Sequence, residues 1–329
     1  MSKFRILYFS DTHLGFDYPV SGKSKHLRRG FDFFNNFHFI LQQAKTRRVD
    51  LVIHGGDLFF RSKVPGKVVN QTYDALFELA DSDIPIVIVP GNHDRSTLPV
   101  SLFLEHPNIH VFRQPDVFHF NLQGINLQVA GFPYVKLIGK ELPSILERIN
   151  KRIKPYDLSI LCMHQAVEGA TVGPVGYTFR AGPDVVKPPD LGGNFSAYLS
   201  GHIHRHQILY FSGIPFIYAG SIERTAFAER FEEKGYMYLD FDHRGLVDMQ
   251  FERLPSRPMF IIELPDDPVS RKNLLSSIKS QIASLPANAA VLISSPSKGI
   301  SEHLNPKFFR EFFPQNTHIQ VRHKWLRDL

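Results

Sequence analysis

Phe4-Arg5-Ile6-Leu7-Tyr8-Phe9-Ser10-Asp11-Thr12-His13 is an apolar, β-rich run that stops abruptly at polar residues. It reads as a buried strand that delivers polar groups at its C-terminal end. The pattern recurs. Asp50 to His54 runs into Gly55-Gly56-Asp57, and Pro85 to Val89 runs into Pro90-Gly91-Asn92-His93-Asp94. Leu158 to Met163 runs into His164, and Ala197 to Ser200 runs into Gly201-His202-Ile203-His204. Each of the five expected strands stops at a side chain able to bind a metal.

Between the first three strands lie helix-like stretches, about Arg28 to Arg47 and about Gly66 to Ala80, of the length that parallel crossovers require. Later the chain turns to hairpins, Val117 to Leu122 with Ile125 to Ala130 and Gly235 to Phe241 with Leu246 to Phe251. The expected fold class is α/β, with a mixed sheet or two packed sheets flanked by helices. Leu254-Pro255-Ser256-Arg257-Pro258 then interrupts the pattern. Beyond it the sequence predicts strands over Phe260 to Leu264, Ala290 to Ser294 and His318 to Arg322, with helices over Ser270 to Ser284 and Pro306 to Phe313. This sets a catalytic domain at 1–255 and a small α/β domain at 256–329.

Composition narrows the classes. No apolar run approaches the roughly 20 residues a bilayer helix needs, and Met1-Ser2-Lys3 leads straight into a strand instead of a signal peptide. A cytoplasmic protein is expected. The single cysteine, Cys162, excludes an intramolecular disulfide. Of the formal net charge of +6, +4 falls in residues 256–329, where ten Lys/Arg face six Asp/Glu. That placement favours a polyanionic partner.

The donors at the strand ends are Asp11, His13, Asp57, Asn92, His164, His202 and His204. Seven ligands are too many for one ion, but two ions sharing a carboxylate would use them all. Asp57 is the natural bridge, because a carboxylate has two oxygens to divide. In Asp11-Thr12-His13 and His202-Ile203-His204 the donors sit two apart, which in extended backbone points both side chains to one side. Glycines beside Asp57, Asn92 and His202 allow sharp turns and close approach to an ion. The mix of carboxylate, imidazole and amide suits Mn²⁺, Fe or Zn²⁺.

The ordered set Asp11-x-His13, Gly56-Asp57, Gly91-Asn92-His93-Asp94, His164 and Gly201-His202-x-His204 resembles the calcineurin-like metallophosphoesterase superfamily. That resemblance implies a four-layer sandwich of two packed mixed sheets flanked by helices. Within the superfamily, Asp11-Thr12-His13-Leu14-Gly15, Gly56-Asp57-Leu58-Phe59 and Ala219-Gly220-Ser221-Ile222-Glu223-Arg224 with Lys234-Gly235 resemble the SbcD-type DNA double-strand-break nucleases. Arg257-Pro258-Met259-Phe260 resembles the start of that family's capping domain. The resemblance implies that Asp11, His13 and His204 hold one ion, that Asn92, His164 and His202 hold a second, and that Asp57 touches both. Two divalent ions per chain follow, Mn²⁺ first, with Fe, Zn²⁺ and Mg²⁺ as alternatives. A water between them would attack phosphorus. His93 would bind the phosphoryl group and protonate the leaving oxygen, oriented by Asp94. Phe60 departs from the pattern, since many family members carry a polar residue there near the scissile phosphate.

Further contacts are expected from nearby basic residues. Arg28 and Arg29 follow the first metal loop, while Lys63 and Arg205 lie beside later ones, so all four are candidate phosphate contacts. The aromatic set Phe31, Phe33, Phe34, Phe37 and Phe39 implies either core packing or a homodimer interface. The expected partners are DNA and, by resemblance, an SbcC-type coiled-coil ATPase, although the family's C-terminal recruiting helix is here very short, absent or replaced after Trp325. The expected function is a two-metal phosphodiesterase acting as a DNA exonuclease or endonuclease. The alternative is a phosphodiesterase or phosphatase for nucleotides or other small phosphoesters.

Overall fold

The computed structural model describes residues 2–17, 29–94, 106–154, 158–264, 271–295 and 318–323. From the N-terminus come β1 (Phe4–Phe9), α1 (Gly30–Thr46), β2 (Leu51–His54), α2 (Gly66–Ala80), β3 (Ile86–Ile88) and β4 (Ile109–Val111). Next are β5 (Asp116–Leu122), β6 (Ile125–Gly131), α3 (Ile138–Asn150) and β7 (Leu158–His164). Two short ladders follow, β8 (Ala166–Val167) with β11 (Val185–Val186) and β9 (Thr171–Val172) with β10 (Tyr177–Thr178). Then come β12 (Ala197–Gly201), β13 (Gln207–Phe211), β14 (Ile214–Tyr218), β15 (Gly235–Asp242) and β16 (Gly245–Arg253). After it come β17 (Met259–Glu263), α4 (Arg271–Ala283), β18 (Ala290–Ser295) and β19 (His318–His323).

Two six-stranded sheets run in the orders β16-β15-β1-β2-β3-β4 and β13-β14-β12-β7-β6-β5. In the first, β1 to β4 are parallel and the β15–β16 hairpin is added antiparallel to β1. In the second, β6, β7, β12 and β14 are parallel and the edges β5 and β13 are antiparallel. Alternation along each strand builds the layers. Ile6, Tyr8, Ile53 and Val87 meet Val129, Ile160, Cys162 and Leu199 between the sheets. Leu7, Phe9, Val52 and Ile88 face the other way, against Phe33, Phe37 and Ile40 of α1 and Leu76 and Leu79 of α2. Leu142, Ile145 and Ile149 of α3 cover the outer face of the second sheet. The result is the helix, sheet, sheet, helix sandwich expected from the sequence.

A small parallel sheet, β17-β18-β19, lies in the C-terminal region. Ile278 and Ile282 of α4 pack on one face with Ile262, Val291 and Ile293. Met259, Ala290 and Leu292 pack on the other with Phe227 of the first region. Arg257 Nη2 and Nε also donate to the two oxygens of Asp32 on α1, at 2.7 and 2.9 Å. The helix expected over Pro306 to Phe313 lies outside the described residues.

Several elements were not legible in advance. The helix α3 carries Pro143, yet its apolar residues Ile138, Leu142, Ile145, Leu146 and Ile149 form one buried stripe. The β13–β14 hairpin follows directly on the His204 loop, and β4 is only three residues long. Of the five phenylalanines around α1, Phe33, Phe34 and Phe37 are core while Phe31 and Phe39 are exposed. Among the described residues, no helix is long and apolar enough to cross a membrane.

Candidate metal centre

The C-terminal ends of β1, β2 and β3 in one sheet and of β7 and β12 in the other bring their polar residues together. Asp11, His13 and His204 form one group of donors, Asp11, Asp57 and His164 a second, and His13, Asp57 and His93 a third, with donor atoms in each group within 4.8 Å of one another. His13 Nε2 lies 2.9 Å from His204 Nε2. Asn92 Oδ1 lies 3.2 Å from His164 Nε2 and 2.9 Å from His202 Nδ1. Asp57 Oδ2 stands between the two sets, 3.4 Å from His164 Nε2 and 3.9 Å from His13 Nε2. All seven residues singled out in the sequence therefore converge, and they do so as two trios joined by Asp57.

The geometry fits a cation. Nitrogens bound to one ion at about 2.1 Å lie roughly 3 to 3.4 Å apart, close to the His13–His204 separation. The outward nitrogens of two rings are also tied in the way metal-binding imidazoles require. His164 Nδ1 donates to Gly55 O at 2.8 Å and His204 Nδ1 to Glu229 Oε1 at 3.1 Å, which points each Nε2 inward. Burial, with the charge of His204 next, holds His13 well below its ordinary pKa. Burial, with the charge of His164 next, holds His202 down at about 3. Both rings are neutral at pH 7, the form that donates to a metal. Asp57 and His164 form a buried pair. Burial opposes both charges, but their attraction outweighs it, holding the carboxylate well below its usual range and pushing the imidazole up to about 9.

Four of the site residues hold left-handed backbone. Asp11, His13, Asp57 and His202 have φ of 52°, 45°, 53° and 83°. Such left-handed conformations cost non-glycine residues on the order of 1 kcal/mol or more each and persist only where the surroundings over-determine them. Asp11 N donates to Gly56 O at 2.8 Å, His13 N to Asp57 O at 3.0 Å and Leu14 N to Leu58 O at 2.9 Å, stitching the first two loops together. His202 N donates to the Asp11 carboxylate at 3.1 Å. Close approach also demands glycine, because a Cβ at Gly91 would overlap the Asp57 carboxylate and one at Gly201 would overlap Gly55 O.

His93 lies at the open side of the centre with its side chain 38% exposed. Its amide donates to Asp57 Oδ1 at 2.9 Å and its ring stacks on Phe60 at 6.1 Å between centroids. Asp94 is buried and accepts from the amides of Leu58, Phe59 and Gly91 at 3.0 to 3.1 Å, so its hydrogen bonds clamp two loops, one of which carries His93. Burial, helped by the charge of Asp57, pushes its carboxyl up to about 6.

The candidate phosphate contacts fare unevenly. Arg29 is 1% exposed, and its guanidinium bonds Glu223 at 3.2 Å and Arg224 O at 2.8 Å, so its charge is used inside the fold and is not offered to a phosphate. Arg205 is held by Glu232, Thr171 and Gly173 O. Lys63 is exposed. Arg28 lies outside the described residues. Two residues the sequence did not single out for the site support His204: Glu229 on its ring, and buried Lys234, whose Nζ donates to His204 O at 2.9 Å. A glutamate in the acidic run Glu229 to Glu233 carries no local signal of that role.

Residues 4–206 match the family model for calcineurin-like phosphoesterases. The chain belongs to that family. This calcineurin-like phosphoesterase is 30% identical to the DNA double-strand break repair protein Mre11 of Thermoplasma acidophilum, over 85% of the chain and 72% of the relative. It is 30% identical to that of Sulfurisphaera tokodaii over 80% of the chain and 66% of the relative. For Archaeoglobus fulgidus the identity is 25%, over 80% and 62%. The phosphoesterase thus spans about two thirds of the length of these relatives and is distantly related to them. Its buried Asp and His clusters fit the dimetal site of a metal-dependent phosphoesterase.

Proposed function

We propose that this phosphoesterase is a two-metal phosphodiesterase that cuts DNA. The observation that carries the reading is the reach of the similarity. An alignment with Mre11 over 85% of the chain runs well past residue 206, where the general phosphoesterase match stops, so the C-terminal region is related as well as the metal centre.

Asp11, His13 and His204 would hold one ion, Asn92, His164 and His202 the other, and Asp57 both. Two divalent ions, with Mn²⁺ first, would supply a nucleophilic hydroxide at neutral pH and neutralise charge on the phosphoryl oxygens. The chain's own residues do the remainder. His93, at the mouth and beside Asp57, is placed to bind a phosphoryl oxygen and to protonate the departing alkoxide. Asp94, clamped to the amides of Leu58, Phe59 and Gly91, fixes the loop that carries His93. Residues 1–255 act as the catalytic domain, and 256–329 as a capping domain whose excess positive charge meets phosphates remote from the scissile one. A coiled-coil ATPase partner follows by the same relationship.

The test is a metal-screened panel of linear duplex DNA, single-stranded DNA, cyclic nucleotides and a chromogenic diester. Mn²⁺-dependent DNA cleavage that falls steeply with salt is expected, because contacts to phosphates release counterions. Turnover of cyclic nucleotides or the chromogenic diester with DNA left intact would overturn the reading.

A further inference from the structure

We propose that Glu229 is a positioning residue that aims His204 into the metal centre, and that the turn carrying it couples the centre to the small C-terminal sheet. The inference rests on reading His204 as a ligand. Glu229 sits at the end of a one-turn 3₁₀ segment, Phe227–Glu229. Its Oε1 accepts from His204 Nδ1 at 3.1 Å and from Thr225 Oγ1 at 2.6 Å. Its Oε2 takes Lys234 Nζ at 2.8 Å and the Thr225 amide at 3.3 Å. Lys234, buried with its side chain 0% exposed, also donates to His204 O at 2.9 Å. The residue is therefore gripped at ring and backbone by one Glu–Lys pair.

Lys234 alone would satisfy a buried carboxylate. The added bond to the ring does something further: it places the proton on Nδ1 and turns Nε2 toward His13 Nε2 at 2.9 Å and Asp11 Oδ1 at 3.9 Å. A carboxylate behind an imidazole also raises the basicity of the donor nitrogen.

The same turn faces the C-terminal sheet. Phe227, two residues before Glu229, is 8% exposed and packs against Met259 of β17 and against Ala290 and Leu292 of β18. The Glu229 amide donates to Ala226 O at 3.0 Å, which keeps the two side chains in fixed relation. A shift of the sheet at Phe227 is thereby transmitted to the carboxylate that holds His204. Interiors are close-packed and pass on such shifts without absorbing them.

Mn²⁺ titration of the metal-free full chain, followed by electron paramagnetic resonance and calorimetry, tests both parts, with circular dichroism reporting the fold. The parent should bind two ions. Glu229→Gln keeps the volume and one acceptor oxygen but loses the charge, and should weaken one ion by about 10- to 100-fold while leaving the other nearly unchanged. Phe227→Ala should weaken the same ion, by less. If Glu229→Gln does not fold, Glu229→Asp, which withdraws the carboxylate by one carbon, supplies the same readout. A folded Glu229 variant that binds both ions as the parent does overturns the positioning role. A folded Phe227→Ala with parental affinities, beside a weakened Glu229 variant, overturns the coupling. A parent that fails to bind two ions overturns the metal reading itself.

Discussion

Replacing Asp57 with Asn should strip both ions from the centre. Asp57 Oδ1 already accepts the His93 amide at 2.9 Å, while Oδ2 faces His164 Nε2 at 3.4 Å, His93 Nε2 at 3.8 Å and His13 Nε2 at 3.9 Å. An asparagine that keeps the His93 bond must put its amide nitrogen in the Oδ2 position and aim two N–H donors at the ions. The other rotamer breaks the His93 bond. Beyond that geometry, a charge is lost. Two unit charges about 4 Å apart in an effective dielectric of about 20 interact by about 4 kcal/mol, so each divalent ion should be weakened by no less than about a thousandfold. Metal analysis by mass spectrometry after gel filtration, with Mn²⁺ titration of the metal-free chain, reads this directly. The parent should carry two ions per chain and the variant fewer than one at micromolar free Mn²⁺. A folded Asp57→Asn chain that holds two ions within tenfold of parental affinity would refute the shared-carboxylate reasoning.

Three further outcomes are expected. His93→Ala should leave metal content unchanged but lower cleavage of alkyl-leaving diesters by about 10² to 10⁴-fold, with a smaller loss on nitrophenyl esters that need no proton; an equal loss on both would remove the proton-donor role. Because Asp57 pushes the His164 pKa up to about 9 against the opposing effect of burial, the ring carries a proton at pH 7 that an ion must displace. Metal affinity should therefore rise with pH and level off above about 9, and calorimetry in buffers of differing ionisation enthalpy should detect proton release on binding at pH 7; no release would contradict it. Gly91→Ala puts a methyl group on the Asp57 carboxylate and should cost about 1 to 3 kcal/mol of stability together with metal content; a parental melting curve with two ions bound would show that the loop yields.

The sandwich was legible because its strands advertise themselves twice, by an apolar run and by a polar stop. Phe4 to His13 shows both, and the structure puts β1 in mid-sheet with its polar end at the centre. The C-terminal β17 and β18 were legible from the apolar runs at Met259 to Glu263 and Ala290 to Ser295 alone. Where the local pattern was interrupted, reading failed. In α3, Gly139 and Pro143 break the helical pattern locally, although the stripe from Ile138 to Ile149 still packs on the second sheet. The gathering of the seven donors was legible from residue type and position. The left-handed φ of Asp11, His13, Asp57 and His202 was not, since it is imposed by bonds between loops far apart in sequence. Arg29 shows the opposite error. A basic residue beside a metal loop looks like a phosphate contact, yet Glu223, almost two hundred residues later, takes its charge inside. Shorter separations, 25 to 36 residues, hid Asp94's bonds to Leu58 and Phe59 and the partnership of Glu229 with His204.

The most direct measurement is cleavage of linear duplex DNA by the intact chain, first freed of metal and then supplied with Mn²⁺ to two equivalents. Cleavage should be absent without metal, rise as the second equivalent binds, and disappear in Asp57→Asn. A chain that holds two Mn²⁺ and hydrolyses a chromogenic diester but leaves DNA uncut would contradict the assignment as a DNA phosphodiesterase.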